Sequence, residues 1–177
     1  TNAAAKTINI RELDALAGKL RLYEAVVTGQ LPVNKWKVPV PDRLELKVGA
    51  RVIFLKNNKP HWINGDMGEV VGLESDYIRV KMHKGDNVVM VGKETWYKLR
   101  YTYDQACQKI EQEQIGTFEQ FPLALGWAIT IHKSQGLTLD KVYIDLTGGT
   151  FAHGQAYVAL SRCRTLEGLA LKRPLTP

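Results

Sequence analysis

The sequence contains no G-x-x-x-x-G-K-[ST] segment, so it has no loop of its own to cradle the β- and γ-phosphates of a nucleotide with Mg²⁺. Cysteine is nearly missing. Cys107 and Cys163 are the only two, far apart and without pair-spaced partners. That excludes a disulfide framework, argues against a zinc site, and fits a reducing, cytoplasmic compartment. No apolar run approaches the ~20 residues needed to cross a bilayer, and no signal peptide opens the chain, so no membrane partner is expected. Low-complexity sequence is absent as well. The apolar content is ordinary for a globular protein, and 177 residues suffice for one medium domain or two small ones with a real core. The chain opens on Thr1 without Met and stops at Leu175-Thr176-Pro177, which reads as a piece excised from something longer.

What is present leans basic. Lys and Arg together number 24 against 18 Asp and Glu, a formal charge of +6. Such an excess suits a polyanion such as nucleic acid, and it equally suits a solvated basic surface.

Three textures succeed one another. From Thr1 to about Gly29 the pattern is helical, with Asn9 as N-cap, Glu12 three residues on, and Ile10, Leu13, Leu16, Leu20 and Tyr23 at helical spacing, interrupted by Gly18. Residues 31–41 carry three prolines and read as an extended connector. From about Leu46 to Thr117, short strand candidates at close spacing with Gly turns predict a small β-barrel: 46–56, 67–73, and the alternating runs 77–82 and 87–91. The polar stretch 104–114 admits a short helix or an irregular segment. From about Phe118 the texture changes to α/β: 126–131 as strand or short helix, 141–146 as a buried parallel strand, 152–161 as a helix, and 166–171 as a final strand. Neither flanking piece is large enough to cover a sheet alone. The expected architecture is therefore an α/β domain made of residues 1–45 and 118–177, with the barrel, 46–117, inserted.

Two polar clusters carry chemistry. In the first, Ala128-Ile129-Thr130-Ile131 leads into His132, Lys133, Ser134 and Gln135, and then Gly136. Hydroxyl, imidazole, ammonium and amide groups in one turn are the donors a phosphate needs, and a glycine lets a ligand approach the backbone closely. A polar surface turn with one satisfied His reads the same residues as well. In the second cluster a short apolar helix delivers Ser161, Arg162 and Arg164 at its C-terminal end. The planar guanidinium suits a phosphoryl group, and an arginine reaching a γ-phosphate across a boundary is worth about 10³–10⁵ in rate. The helix macrodipole alone also favours arginines at that end.

The run FPLALGWAITIHKSQGLTLDKVYIDL closely resembles motif V of superfamily 1B DNA helicases of the petite-integration-frequency and RecD-like type, and FAHGQAYVALSRCRTLEGLAL resembles their motif VI. TNAAAKTIN resembles motif IV, and ELKVGARVIFLKNN with WINGDMGEVVGL resembles their inserted Src-homology-3-like barrel. The resemblance implies a RecA-like second motor domain whose ATP and Mg²⁺ are held mainly by an N-terminal RecA-like domain of the same protein. It implies Arg162 as the arginine finger, with Arg164 nearby, and Gln135 and Gly136 at the γ-phosphate. It implies Thr130, His132, Lys133 and Ser134 on the backbone of single-stranded DNA, with translocation 5′→3′. Asn2 departs from the pattern, because several relatives carry Arg in motif IV.

The aromatics Trp62, Tyr77, Trp96, Tyr97, Tyr101 and Tyr103, interleaved with Arg79, Lys81, Lys84, Lys93, Lys98 and Arg100, are readable as a base-stacking platform or as barrel core. Trp36 and Trp127 are expected to pack. His61, His83 and His153 show no metal-ligand spacing. A stand-alone nucleic-acid-binding module and the C-terminal half of a UvrD-like 3′→5′ helicase are the competing readings. The first leaves the arginine and the phosphate turn without use. The second sits poorly with Gln135-Gly136-Leu137-Thr138, where a Lys-Gly-Leu-Glu run is expected.

With no nucleotide loop, the isolated 177-residue chain should bind ATP weakly and release no phosphate above background. Robust turnover by the isolated chain would contradict this.

Overall fold

The computed structural model of the protein describes residues 2–29, 38–104, 107, 109–146 and 154–174. Trp36, Ala152, His153 and most of the 31–41 connector lie outside them. The fold is α/β, and its contacts gather into two compact units: Arg11–Gly126, and Thr1–Ile10 with Trp127–Pro177.

Helix α1 (Asn2–Ala15) begins earlier than the capping pattern predicts. Ala3, Ala4 and Ala5 explain why: alanine has the best intrinsic helix propensity, and three in a row carry the helix across the expected start. Asn9 is therefore mid-helix and caps nothing. The helix ends by Gly18, whose φ of 99° suits the left-handed turn, and the Lys47 ammonium donates to the terminal carbonyls of Asp14 (3.3 Å) and Leu16 (2.8 Å). Leu20 and Tyr23 consequently do not continue the helix. Tyr23 sits in β1 (Arg21–Glu24), buried edge-on against Phe121 with ring centroids 4.9 Å apart.

The larger unit continues with β2 (Val26–Gly29), β3 (Arg43–Leu46), β4 (Arg51–Phe54), β5 (Met67–Leu73), β6 (Tyr77–Met82), β7 (Val88–Gly92), β8 (Glu94–Asp104), β9 (Lys109–Gln120) and β10 (Leu123–Leu125). Among the described residues, five strands form an open antiparallel sheet in the order β10-β4-β5-β6-β7. Its core arises from period-2 alternation: Val70 on β5, Ile78, Val80 and Met82 on β6, and Val89 and Val91 on β7 are buried. Of the polar 104–114 stretch, Asp104 ends β8, 109–114 belong to β9, and 105, 106 and 108 lie outside the described residues. β8 and β9 pair antiparallel, and Arg100 faces Glu113 at 3.8 Å, an opposite-charge pair across the ladder that favours pairing.

The expected boundaries at 45/46 and 117/118 fall inside this unit. β1 pairs with β3, placing Arg21 opposite Leu46, and β2 pairs with β9, placing Val27 opposite Phe118. Backbone pairing thus runs across the changes of texture. A small cluster of Val40 and Phe118, with Val27, Val38, Leu55 and Trp96 against it, fills the space beneath.

Gln120 is wholly buried at the join. Its amide nitrogen donates to the carbonyls of Tyr23 (3.1 Å) and Asp42 (3.2 Å), and its oxygen accepts from the Phe121 N–H (2.9 Å). A buried amide satisfied on both ends ties β1, the segment before β3, and the β9–β10 junction into one piece.

The smaller unit contains β11 (Val142–Ile144), α2 (Gln155–Leu160) and β12 (Leu169–Leu171). β11 and β12 pair in parallel, and an isolated parallel bridge between Leu139 and Cys163 continues the pairing upstream. A Cβ at Gly168 would collide with the Asp140 carbonyl oxygen, so glycine is what lets the two chains come together there.

Gln120→Leu should destabilise the protein by about 1–3 kcal/mol in urea unfolding, because the buried Tyr23 carbonyl and the Phe121 N–H lose their amide partner. An unchanged midpoint would mean that water reaches those groups.

Candidate functional site

Between β10 and β11 the chain from Gly126 to Leu139 belongs to no helix or strand, apart from the bridge at Leu139. Its backbone groups must find partners elsewhere, and they find side chains and local turns. The Asn9 carboxamide takes Ala128 at both ends: Nδ2 donates to the Ala128 carbonyl and Oδ1 accepts from the Ala128 N–H, each at 2.8 Å. The Ser134 N–H reaches the carbonyls of Thr130 (3.0 Å) and Ile131 (3.1 Å), and the Gln135 N–H reaches that of His132 (3.3 Å). The Thr130 hydroxyl accepts from the Lys133 N–H at 3.4 Å, and the Ser134 hydroxyl donates to the Ile131 carbonyl at 2.7 Å.

These bonds sort the expected site residues. Ser134 is buried, with its hydroxyl turned inward, and Thr130 is half-buried. His132, Lys133, Gln135 and Gly136 are exposed at the turn. Gly136 has a φ of 79°, a Cβ built on it would meet open space, and among the described residues its N–H meets no acceptor. The turn thus presents an ammonium, an imidazole, an amide and a backbone donor to solvent. That set suits an oxyanion.

Arg162 lies against this turn. Helix α2 ends at Leu160, and Arg162 folds back on it, with Nε donating to the Val158 carbonyl (3.0 Å) and Nη2 to the Ser161 hydroxyl (2.9 Å). Its Nη1 donates to the carbonyl of Leu137, the residue after Gly136, at 3.3 Å. Three of the five guanidinium N–H groups hold the side chain in place, and one on each terminal nitrogen remains for a further acceptor. Parallel pairing fixes the neighbours: the Leu139 N–H bonds the Arg162 carbonyl (2.8 Å) and the Arg164 N–H bonds the Leu139 carbonyl (2.9 Å). Arg164 turns elsewhere, 3.4 Å from the Asp140 carboxylate and largely exposed. The structure therefore ties Arg162 to Leu137, directly after Gln135 and Gly136 in the chain, and gives Arg164 a different partner.

Asn9, the Leu137 carbonyl and Asp140 were not legible as site components. Asn9 fits a capping pattern, and a backbone carbonyl has no sequence signal. The aromatics divide. Trp62 is core, its indole N–H donating to the Lys56 carbonyl at 3.1 Å, and Trp96 packs on Phe118 beneath the Lys56 ammonium. Tyr97, Tyr101 and Tyr103 stand exposed on β8. Burial and the neighbouring Arg51 push the His83 imidazole below its ordinary value. Among the described residues no three His, Cys, Asp or Glu side chains converge to hold a metal. Nor, among them, is any helix long and apolar enough to cross a membrane.

No family model matches the chain. Individual relatives do. An ATP-dependent DNA helicase Pif1 from Bdellovibrio bacteriovorus is 37% identical over 171 residues, which cover 94% of this chain and 36% of that protein. The unliganded Pif1 structure from Bacteroides is 41% identical and superposes with a TM-score of 0.87, covering 99% of this chain and 40% of that one. The Bacteroides Pif1 structure bound to single-stranded DNA gives a TM-score of 0.78 at 41% identity, over 99% of this chain and 40% of that one. This chain spans about a third of the length of the curated relatives it matches. Motif-like segments, fold and overall similarity agree: over nearly its whole length the chain matches one part of the Pif1-type DNA helicases.

Proposed function

We propose that the chain is the C-terminal motor segment of an ATP-dependent DNA helicase of the Pif1 type. In this reading the smaller unit is the recognisable part of a second RecA-like domain. The larger unit carries the inserted Src-homology-3-like module. ATP lies between this segment and an N-terminal RecA-like domain, and single-stranded DNA runs across both.

The observation that carries the reading is the Arg162–Leu137 hydrogen bond, 3.3 Å long, which joins the arginine to the turn containing Gly136. An arginine held by three bonds with two N–H groups left over is preorganised for the γ-phosphoryl group, and preorganised donors need no rearrangement as charge develops. The Gly136 N–H and the Gln135 amide offer further donors to the same phosphate. Lys133 and His132, exposed beside them, suit the DNA backbone, as does the half-buried Thr130 with its hydroxyl. Ser134, by contrast, acts by holding the turn, since its hydroxyl is committed to the Ile131 carbonyl.

The donors assembled here are cations and N–H groups. They fit phosphate oxygens and do not fit Mg²⁺, which this reading assigns to the N-terminal domain. Closure of the two motor domains on ATP would shift the Gly136 turn, and Thr130–Lys133 with it. That supplies a route from nucleotide to DNA through one continuous stretch of chain. The 5′→3′ direction is carried by family resemblance.

In the full-length protein, Arg162→Ala should lower DNA-stimulated ATP turnover by about 10³-fold or more while nucleotide affinity changes little. Arg164→Ala should change turnover only slightly, and the reverse pattern would reassign the finger. Lys133→Ala should weaken single-stranded DNA binding and flatten the log affinity–log salt slope by about 0.7, one phosphate contact. An unchanged slope would remove Lys133 from the DNA.

A further inference from the structure

We infer that Asn9 is a positioning residue for the DNA-contacting turn. This inference rests on the reading that Thr130–Lys133 meets single-stranded DNA. Asn9 and Ala128 are 119 residues apart in sequence, yet the Asn9 carboxamide both donates to and accepts from the Ala128 backbone at 2.8 Å. A carboxamide reproduces the donor–acceptor pair of a peptide group, so it serves one residue of irregular chain as a neighbouring strand would. Ala128 is two residues before Thr130 and stands in neither helix nor strand.

The turn is thereby fixed at both ends. Downstream, the Leu137 carbonyl accepts from Arg162, and Leu139 pairs with the chain around Cys163. Upstream, among the described residues, no bond other than that of Asn9 reaches the Ala128 backbone. Asn9 is carried on α1, whose alanine-rich first turns make it a stiff support, and it is half-buried beside Ala128. Releasing this end would leave Thr130, His132 and Lys133 chemically intact but no longer held in register. The DNA backbone would then have to order them on binding. The Arg162 end and the phosphate-facing donors would stay as they are.

The test uses the full-length protein with Asn9→Asp, which preserves size and the acceptor but, when ionised, replaces the donor with an oxygen facing the Ala128 carbonyl. The DNA concentration giving half-maximal ATPase stimulation should rise about tenfold, while kcat at saturating DNA and KM for ATP stay within about twofold. In a Lys133→Ala background the same substitution should cost much less, because both act through one contact. A parallel fall in kcat, or full additivity with Lys133→Ala, would overturn the inference. If Lys133→Ala itself leaves DNA affinity unchanged, the DNA reading fails and the inference with it. If Lys133→Ala weakens binding and Asn9→Asp does not, the inference alone fails. Should Asn9→Asp not fold, amide hydrogen exchange on the unsubstituted protein decides. The Ala128 N–H is expected to be protected although it lies in no strand, and exchange at the rate of an open loop would overturn the assignment.

Discussion

A chain that leaves regular secondary structure must still satisfy its backbone, and that constraint shapes the Gly126–Leu139 segment. Every solution found here is specific. Asn9 serves Ala128, Thr130 and Ser134 close the turn on itself, and Arg162 takes the carbonyl of Leu137. At the tip of the segment Lys133, His132 and Gln135 are exposed, and among the described residues the Gly136 N–H meets no acceptor.

The same device recurs in the other unit for a purely structural end. Gln120 is buried with its amide shared among three chain segments that ladder bonding alone would leave loosely joined. Carboxamides therefore mark two joints of this protein, one in the core and one beside the candidate site. The difference lies in the neighbouring chain. Gln120 leads directly into Phe121 in the core, whereas Ala128 leads into the exposed phosphate-type turn.

Much of this was legible in the sequence where the signal is local. Val142–Ile144 forms a strand within the apolar run 141–146, and Met67–Leu73 and Tyr77–Met82 form strands where the strand pattern predicts them, while Arg162 bonds the carbonyl of Leu137, one residue beyond Gly136. The illegible parts depend on distant partners. Asn9 with Glu12 three residues on satisfies a capping pattern, but three alanines upstream carry the helix through it, and the true partner of Asn9 lies 119 residues away. Residues 109–114 lack hydrophobic periodicity because they lie on the exposed part of β9, where Glu113 faces Arg100 across the ladder. Backbone pairing crosses the expected boundaries at 45/46 and 117/118, because β1 and β2 pair with strands whose sequences look unlike them.

In the proposed helicase, Arg162 and the Thr130–Gly136 turn act as one relay, joined through Leu137. Such a relay is a coupling free energy between nucleotide and DNA, and it is reciprocal. The most direct measurement is the single-stranded DNA affinity of the full-length protein with and without an ADP–aluminium fluoride mimic, in the wild type and in Arg162→Ala. The mimic should shift DNA affinity in the wild type, and the shift should largely vanish in Arg162→Ala even though the mimic still binds. A shift of the same size in both proteins would show that the two sites communicate by another path.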